Sequence, residues 1–277
     1  MKLVLTFALL LICPMTALRA SDLPKKSLPL PGQVFEVQGH TGFVIFPLET
    51  KSLHRPLAWV WYAPTLQGLP GPEEAWMFER FTRAGIAIAG IDVGESYGSH
   101  DGKSIYSAFY DELTRHRGLG SKAILLGRSR GGLMTLCWAE DNAEKVAGFA
   151  GIYPVCNIAS YPGVTNACGA YHMSAGQLSE RLGEYNPIDR LASLVKEGVP
   201  LFCIHGDQDQ VVPLNANSGE MHKRYLALGG KMKLMVPPGQ GHNMWPGFFQ
   251  CQELVDFVVE QARRTSNAPG GLRRRDN

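Results

Sequence analysis

Six short apolar runs recur along this chain, and none of them alternates apolar with polar residues. Leu57–Tyr62, Ile86–Asp92, Ala123–Leu126, Val146–Ile152, Leu201–His205 and Met232–Val236 are apolar nearly throughout. Strands of that kind belong in a parallel sheet, where helices cover both faces and neither side of a strand meets water. The segments between them carry helical periodicity: Glu73–Ala84, Ser104–Thr114, Gly131–Asp141, Ala216–Leu228 and Phe248–Arg264. Strand and helix in regular succession predict an α/β fold, a mostly parallel central sheet with helices on both faces. Val34–Gln38 and Gly42–Pro47 are expected as an antiparallel hairpin at its start. Residues 153–198 interrupt the rhythm, carrying Pro154, Pro162 and Pro187. They are expected as a small cap insertion or an elaborated loop over the strand ends, with Ser174–Leu182 helical.

The two ends read differently from this middle. Residues 1–20 hold Lys2, an apolar run from Leu3 to Ile12, and then small and polar residues. That is the pattern of a secretory signal peptide cleaved after Ala20. The run is short of the ~20 apolar residues a spanning helix needs, so a secreted or periplasmic protein without a membrane span is expected. Residues 21–266 then form one domain, and 267–277, with the Arg273–Arg275 run, a disordered tail. Loss of Lys2 and Arg19 with the leader leaves 25 basic against 25 acidic side chains. Such a balance offers no cationic surface for nucleic acid. In an exported chain disulfides become possible. Cys156 and Cys168 flank one loop-like segment and are the expected pair, whereas Cys137 and Cys203 lie in helix and strand patterns and are expected as buried thiols. No cysteine and histidine spacing suits a metal, and no cofactor is implied.

Chemistry is concentrated at three points, each just past a strand. After Ala123–Leu126 comes Gly127-Arg128-Ser129-Arg130-Gly131, followed by a helix. A serine in a sharp strand-to-helix turn exposes its hydroxyl, the glycines permit close backbone approach, and helix N-terminal amides lie beside it. After Leu201–His205 comes Gly206-Asp207-Gln208-Asp209-Gln210-Val211-Val212-Pro213, and after Met232–Val236 comes Gly239-Gln240-Gly241-His242. Open α/β sheets place their sites at these carboxyl ends. A serine needs a base oriented by an acid to become a nucleophile, and both residue types are present. His205, ending a strand, reads as structural.

These three motifs, in this order, resemble those of the α/β-hydrolases over roughly Leu57–Ala262, closest to dienelactone-hydrolase-like and prolyl-oligopeptidase-like esterases. The resemblance implies an α/β-hydrolase fold and a serine esterase with Ser129 as nucleophile, His242 as base and Asp209 as acid, Asp207 serving as a turn cap. It implies oxyanion donors at the Arg130 amide and in the loop after Leu57–Tyr62. There Pro64 lacks an N–H, which leaves Tyr62 or Ala63. The elbow is also similar to that of glucuronoyl esterases, in which an arginine follows the nucleophile. Arg128 beside the serine, Glu95 in the loop after Ile86–Asp92 that should line the cleft rim, and Trp245 close after His242 are expected to bind substrate. The Arg130 side chain is expected to reach the cleft or to pack on a carboxylate such as Glu95. The substrate expected is a small-molecule or carbohydrate ester. A peptidase and a non-catalytic binding protein on the same scaffold remain the alternatives.

Overall fold

The computed structural model describes residues 26–47 and 56–267. The expected leader and all but the first residue of the expected tail lie outside them. Eight strands form one sheet: β1 (Gln33–Val37), β2 (His40–Ile45), β3 (Leu57–Ala63), β4 (Ala87–Ile91), β5 (Leu119–Arg128), β6 (Val146–Ile152), β7 (Leu201–Ile204) and β8 (Met232–Met235). Their order is β1-β2-β4-β3-β5-β6-β7-β8. The hairpin β1–β2 joins β4 antiparallel, and β4 to β8 run parallel. This is the α/β-hydrolase fold, with the longest strand, β5, at its centre.

Helices cover both faces. The longer ones are α1 (Ala75–Arg83), α2 (His100–His116), α3 (Arg130–Asp141), α7 (Ser218–Ala227) and α9 (Gln252–Asn267). The short ones are α4 (Val164–Ala167), α5 (Ala175–Glu180), α6 (Ala192–Lys196) and α8 (Pro246–Phe249). One core lies between the sheet and α2, α3 and α7, around Trp59, Trp61 and Trp138. The other lies under α1, α8 and α9, around Phe78, Phe81 and Val258. A third, smaller cluster is built by the insertion itself, with Val155, Ile158, Tyr171 and Leu178 packing on Leu133 and Cys137 of α3. The insertion is thus a small cap with its own apolar anchor beside the helix that follows the elbow.

Three expectations need correction. Cys156 and Cys168 are free thiols. Cys156 is buried in the core beneath the sheet, whereas Cys168 packs at the edge of the cap cluster, so the two belong to different layers. Asn267 ends α9 rather than starting a tail. Strand β5 begins at Leu119, through the polar Gly120-Ser121-Lys122, because its first residues pair with β3.

Close backbone packing at the end of β5 is what the glycines provide. A Cβ on Gly127 would stand 2.7 Å from Gly132 Cα, and one on Gly131 would overlap the Ala63 carbonyl at the end of β3. Gly131→Ala is therefore expected to force α3 away from β3 and to lower stability by about 3 kcal/mol or more, as overpacking against rigid backbone does. Chemical denaturation measures this, and a loss under about 1 kcal/mol would contradict the packing described.

Candidate active site

Ser129 sits between β5 and α3 with φ 51° and ψ −125°, a conformation that side chains other than hydrogen rarely adopt. Three backbone bonds hold it there. Its amide donates to Ile152 O at 3.0 Å, and its carbonyl accepts from Gly132 at 3.0 Å and Val155 at 2.8 Å. The turn leaves the hydroxyl partly exposed beside the first amides of α3, which have no carbonyl partner within the helix.

The loops after β7 and β8 supply the rest. Asp207 Oδ1 accepts the Gly239 amide at 2.7 Å, and Gln208 donates its amide to Gln240 O at 2.9 Å, so the two loops are tied to each other. Asp207 is therefore a loop clamp. Across this junction His242 Nε2 lies 2.9 Å from Ser129 Oγ, and His242 Nδ1 lies 2.7 Å from Asp209 Oδ2. The Asp209 side chain is fully buried, while His242 is 18% exposed. Burial opposes the Asp209 charge, but hydrogen bonds from His205, His242 and the Val212 amide outweigh it and hold the carboxyl well below its usual range. The structure thus brings Ser129, His242 and Asp209 into one hydrogen-bonded line. An ionised acid on one imidazole nitrogen leaves the other free to take a proton from the serine.

The His242 ring rests on Tyr153, with centroids 4.3 Å apart. Tyr153 in turn meets Phe248 edge-on at 4.9 Å, and Phe248 meets Trp245 edge-on at 5.3 Å. Trp245 is 38% exposed and stands at the rim of this aromatic column. Tyr153 is the first residue after β6, with φ 34°. Its position past a strand end was the signal available in the sequence, and the sequence reading passed over it.

Both arginines beside Ser129 are already paired. Arg128 Nη1 donates to Glu74 Oε1 at 2.7 Å, Nη2 to Met244 Sδ at 3.0 Å, and the guanidinium lies 4.9 Å from the Phe249 ring centroid. Glu74 is wholly buried and also accepts the Tyr62 hydroxyl and the Gly71 amide, each at 2.8 Å. The Tyr62 hydroxyl is therefore committed to Glu74, and burial beside that carboxylate raises its pKa well above the usual phenol range. Arg130 forms an ion pair with Glu95, both partly exposed. Its side chain takes the packed alternative, while its amide opens α3 next to Ser129. Glu74, like Tyr153, was missed by the sequence reading. It stands in a single helical turn, Pro72–Glu74, just before α1, where its burial left no periodic trace.

Residues 108–262 match the prolyl oligopeptidase family. A curated relative, the acylamino-acid-releasing enzyme of Arabidopsis thaliana, is 26% identical over 131 residues, which is 44% of this chain and 17% of that protein. The chain thus spans about a sixth of that relative's length. Among solved structures, an S-formylglutathione hydrolase from Agrobacterium tumefaciens superposes with a TM-score of 0.65 at 16% identity, over 84% of this chain and 94% of that one. A truncated carbohydrate esterase from gut microbiota does so with 0.64 at 16% identity, over 87% and 100%. At such identities the structural likeness is one of fold.

Among the described residues no group of three or more His, Cys, Asp or Glu is placed to hold a metal ion, and no helix is long and apolar enough to cross a membrane. The buried ion pair makes its own prediction. Glu74→Leu leaves the Arg128 guanidinium largely buried without its partner and should cost about 3–5 kcal/mol, whereas Glu74→Leu combined with Arg128→Met should recover most of it. Denaturant unfolding of the single and double variants measures both. A double variant no more stable than the single one would contradict the coupling.

Proposed function

This chain belongs to the prolyl oligopeptidase family and is a serine hydrolase, and we propose that it cleaves carboxylic esters through an acyl-enzyme on Ser129. The observation that carries the proposal is the line from Ser129 Oγ through His242 to the buried Asp209 carboxylate, with 2.9 Å and 2.7 Å separations. In this reading His242 Nε2 takes the hydroxyl proton as Ser129 Oγ bonds to the ester carbonyl carbon. Asp209 steadies the imidazolium through Nδ1. The carbonyl oxygen, now negative, is met by the Arg130 amide at the start of α3. The C–O bond to the alcohol then breaks, and the proton on His242 Nε2 passes to the leaving alkoxide. Water then gives a proton to the same imidazole and bonds to the acyl carbon. The bond from that carbon to Ser129 Oγ breaks to release the carboxylic acid, and His242 returns the proton to Oγ.

Preference for a neutral ester is supported by the charge around the nucleophile. Glu74 and Glu95, the two carboxylates flanking it, are each bound to an arginine, so neither is free to hold the amino terminus of a peptide. Arg128 and Arg130 are likewise neutralised, which speaks against a requirement for an acidic substrate. Trp245 at the rim supports an apolar or sugar-like group beside the scissile bond. The leader-like residues 1–20 support action outside the cytoplasm. A peptidase reading draws its support from the family and from the acylamino-acid-releasing relative.

A fluorophosphonate probe should label the wild-type chain and leave Ser129→Ala unlabelled. Acetyl, feruloyl, uronoyl-methyl and short-chain lipid esters should then be compared with an aminoacyl amide. The expected outcome is ester turnover with kcat/KM at least about a hundredfold above that of the matched amide. An amide turned over as fast as its ester would replace this reading by the peptidase one. An unlabelled wild type would remove both.

A further inference from the structure

Behind Asp209 lies a second, wholly buried imidazole, and we propose that His205 is a positioning residue that fixes the Asp209 carboxylate toward His242. The proposal rests on the roles given above to Ser129, His242 and Asp209.

His205 follows β7 directly, with no exposed surface. Its Nε2 lies 2.8 Å from Val212 O and 3.2 Å from Asp209 Oδ2. Both neighbours only accept, so this nitrogen carries the proton. Its Nδ1 lies 2.8 Å from Ser218 Oγ, which donates to it when the imidazole is neutral. The Ser218 hydroxyl is thereby the matching partner of the tautomer that aims a proton at the turn holding the acid, and it anchors the ring from the other side. The turn closes on itself: Val212 and Val211 send their amides to Asp209 Oδ1 at 2.8 Å and 3.0 Å. His205 spans this turn from the Val212 carbonyl to the second carboxylate oxygen. Oδ1 thus accepts two amides, while Oδ2 meets His242 Nδ1 at 2.7 Å from the cleft and, at 3.2 Å from below, the His205 Nε2–H that it shares with the Val212 carbonyl. A histidine serving only the fold would need no more than the Val212 carbonyl and Ser218. Here it also meets the very oxygen that His242 uses.

Two consequences follow. Without His205 the carboxylate loses its lower contact and its fixed rotation, so proton transfer at His242 slows while substrate still binds. Oδ2 also gives its charge to His242 alone, which favours the imidazolium and moves the acid limb of the pH profile upward. The ionisable groups around this pair are His242 itself, Tyr153 against its ring, Arg128 near Tyr153, Cys203 beside Ser218, and Asp207, which is occupied by the Gly239 amide.

The test measures fluorophosphonate labelling and p-nitrophenyl ester hydrolysis of the full chain from about pH 5 to 9. Wild type, Ser129→Ala, His205→Leu, His205→Gln and Ser218→Ala are compared, with thermal unfolding in parallel. His205→Leu should slow labelling and kcat by about 10- to 100-fold with KM within about threefold, and its acid limb should rise. His205→Gln, which restores an N–H, should recover part of the rate. Ser218→Ala keeps the imidazole and its Nε2 proton but removes the donor that anchors Nδ1, so the ring is held less firmly against Asp209, and it should slow labelling by about three- to tenfold. A folded His205→Leu with wild-type rate, or with a slowed rate, an unmoved acid limb and no rescue by Gln, overturns the proposal. If His205→Leu fails to fold, Ser218→Ala decides it: wild-type labelling and an unmoved limb overturn it. A wild type that resists the probe, or a Ser129→Ala that accepts it, removes the underlying assignment and the His205 role with it.

Discussion

The site depends on one backbone conformation, the positive φ of Ser129. Holding a non-glycine residue there costs of order 1–3 kcal/mol and persists only where the surroundings leave no alternative. They leave none here. The amide and the carbonyl of Ser129 are both bonded to the chain around β6, and the carbonyl also accepts from α3. Gly127, Gly131 and Gly132 remove the side chains that would prevent strand, helix and the end of β3 from meeting. The same contact puts the first amides of α3 beside the hydroxyl. Exposure of the Ser129 hydroxyl and the placing of helix amides beside it are thus two results of a single packing constraint.

Around that turn, charge is arranged so that little is left over. Arg128 lies over Glu74, and Arg130 over Glu95. The first pair is buried, and a buried pair is retained more readily for orientation than for stability. Glu74 also binds Tyr62 in β3 and the Gly71 amide before α1, so Arg128 stitches the elbow to two other elements. Asp209 is the other buried carboxylate at the site, and it is satisfied by amides and imidazoles rather than by a cation. That difference matters chemically. A guanidinium always carries its charge and would hold the Asp209 carboxylate in a permanent ion pair, which an imidazole partner does not.

The sheet and the three motifs were legible because they depend on local chemistry. Continuous apolar runs of four to seven residues, alternating with helical patterns, point to strands buried on both faces, and a serine flanked at two residues by glycines after such a run points to a turn. What could not be read was contact between distant segments. Glu74 looked like an ordinary first-turn acid until α1 packed it beneath Arg128, which lies 54 positions further along the chain. Nothing in Leu201–Ile204 announces that Asp209 turns back over His205, so the sequence shows only a histidine at a strand end. The Cys156–Cys168 pairing failed for a related reason. Proximity in sequence said nothing about the layers, and the chain between the two cysteines carries one into the sheet core and the other into the cap. Arg130 stood between cleft and ion pair on paper, and only the position of Glu95 decided it.

Tyr153 joins these observations into one mechanical unit. It too has a positive φ, and it stands between Ile152 and Val155, the two residues of that segment whose backbones hold Ser129. The bend at Tyr153 lets the chain accept the Ser129 amide on one side and return an amide to the Ser129 carbonyl on the other. The same bend carries the tyrosine ring beneath His242. One strained turn therefore clasps the other: the chain that fixes the nucleophile's backbone also supplies the platform for the imidazole. With one ring face against Tyr153 and Nδ1 on Asp209, the imidazole retains little freedom except along the line from Nε2 to Ser129 Oγ. For the proton transfer proposed above, that geometry is set by the fold before substrate arrives, the condition under which preorganised sites gain most of their rate.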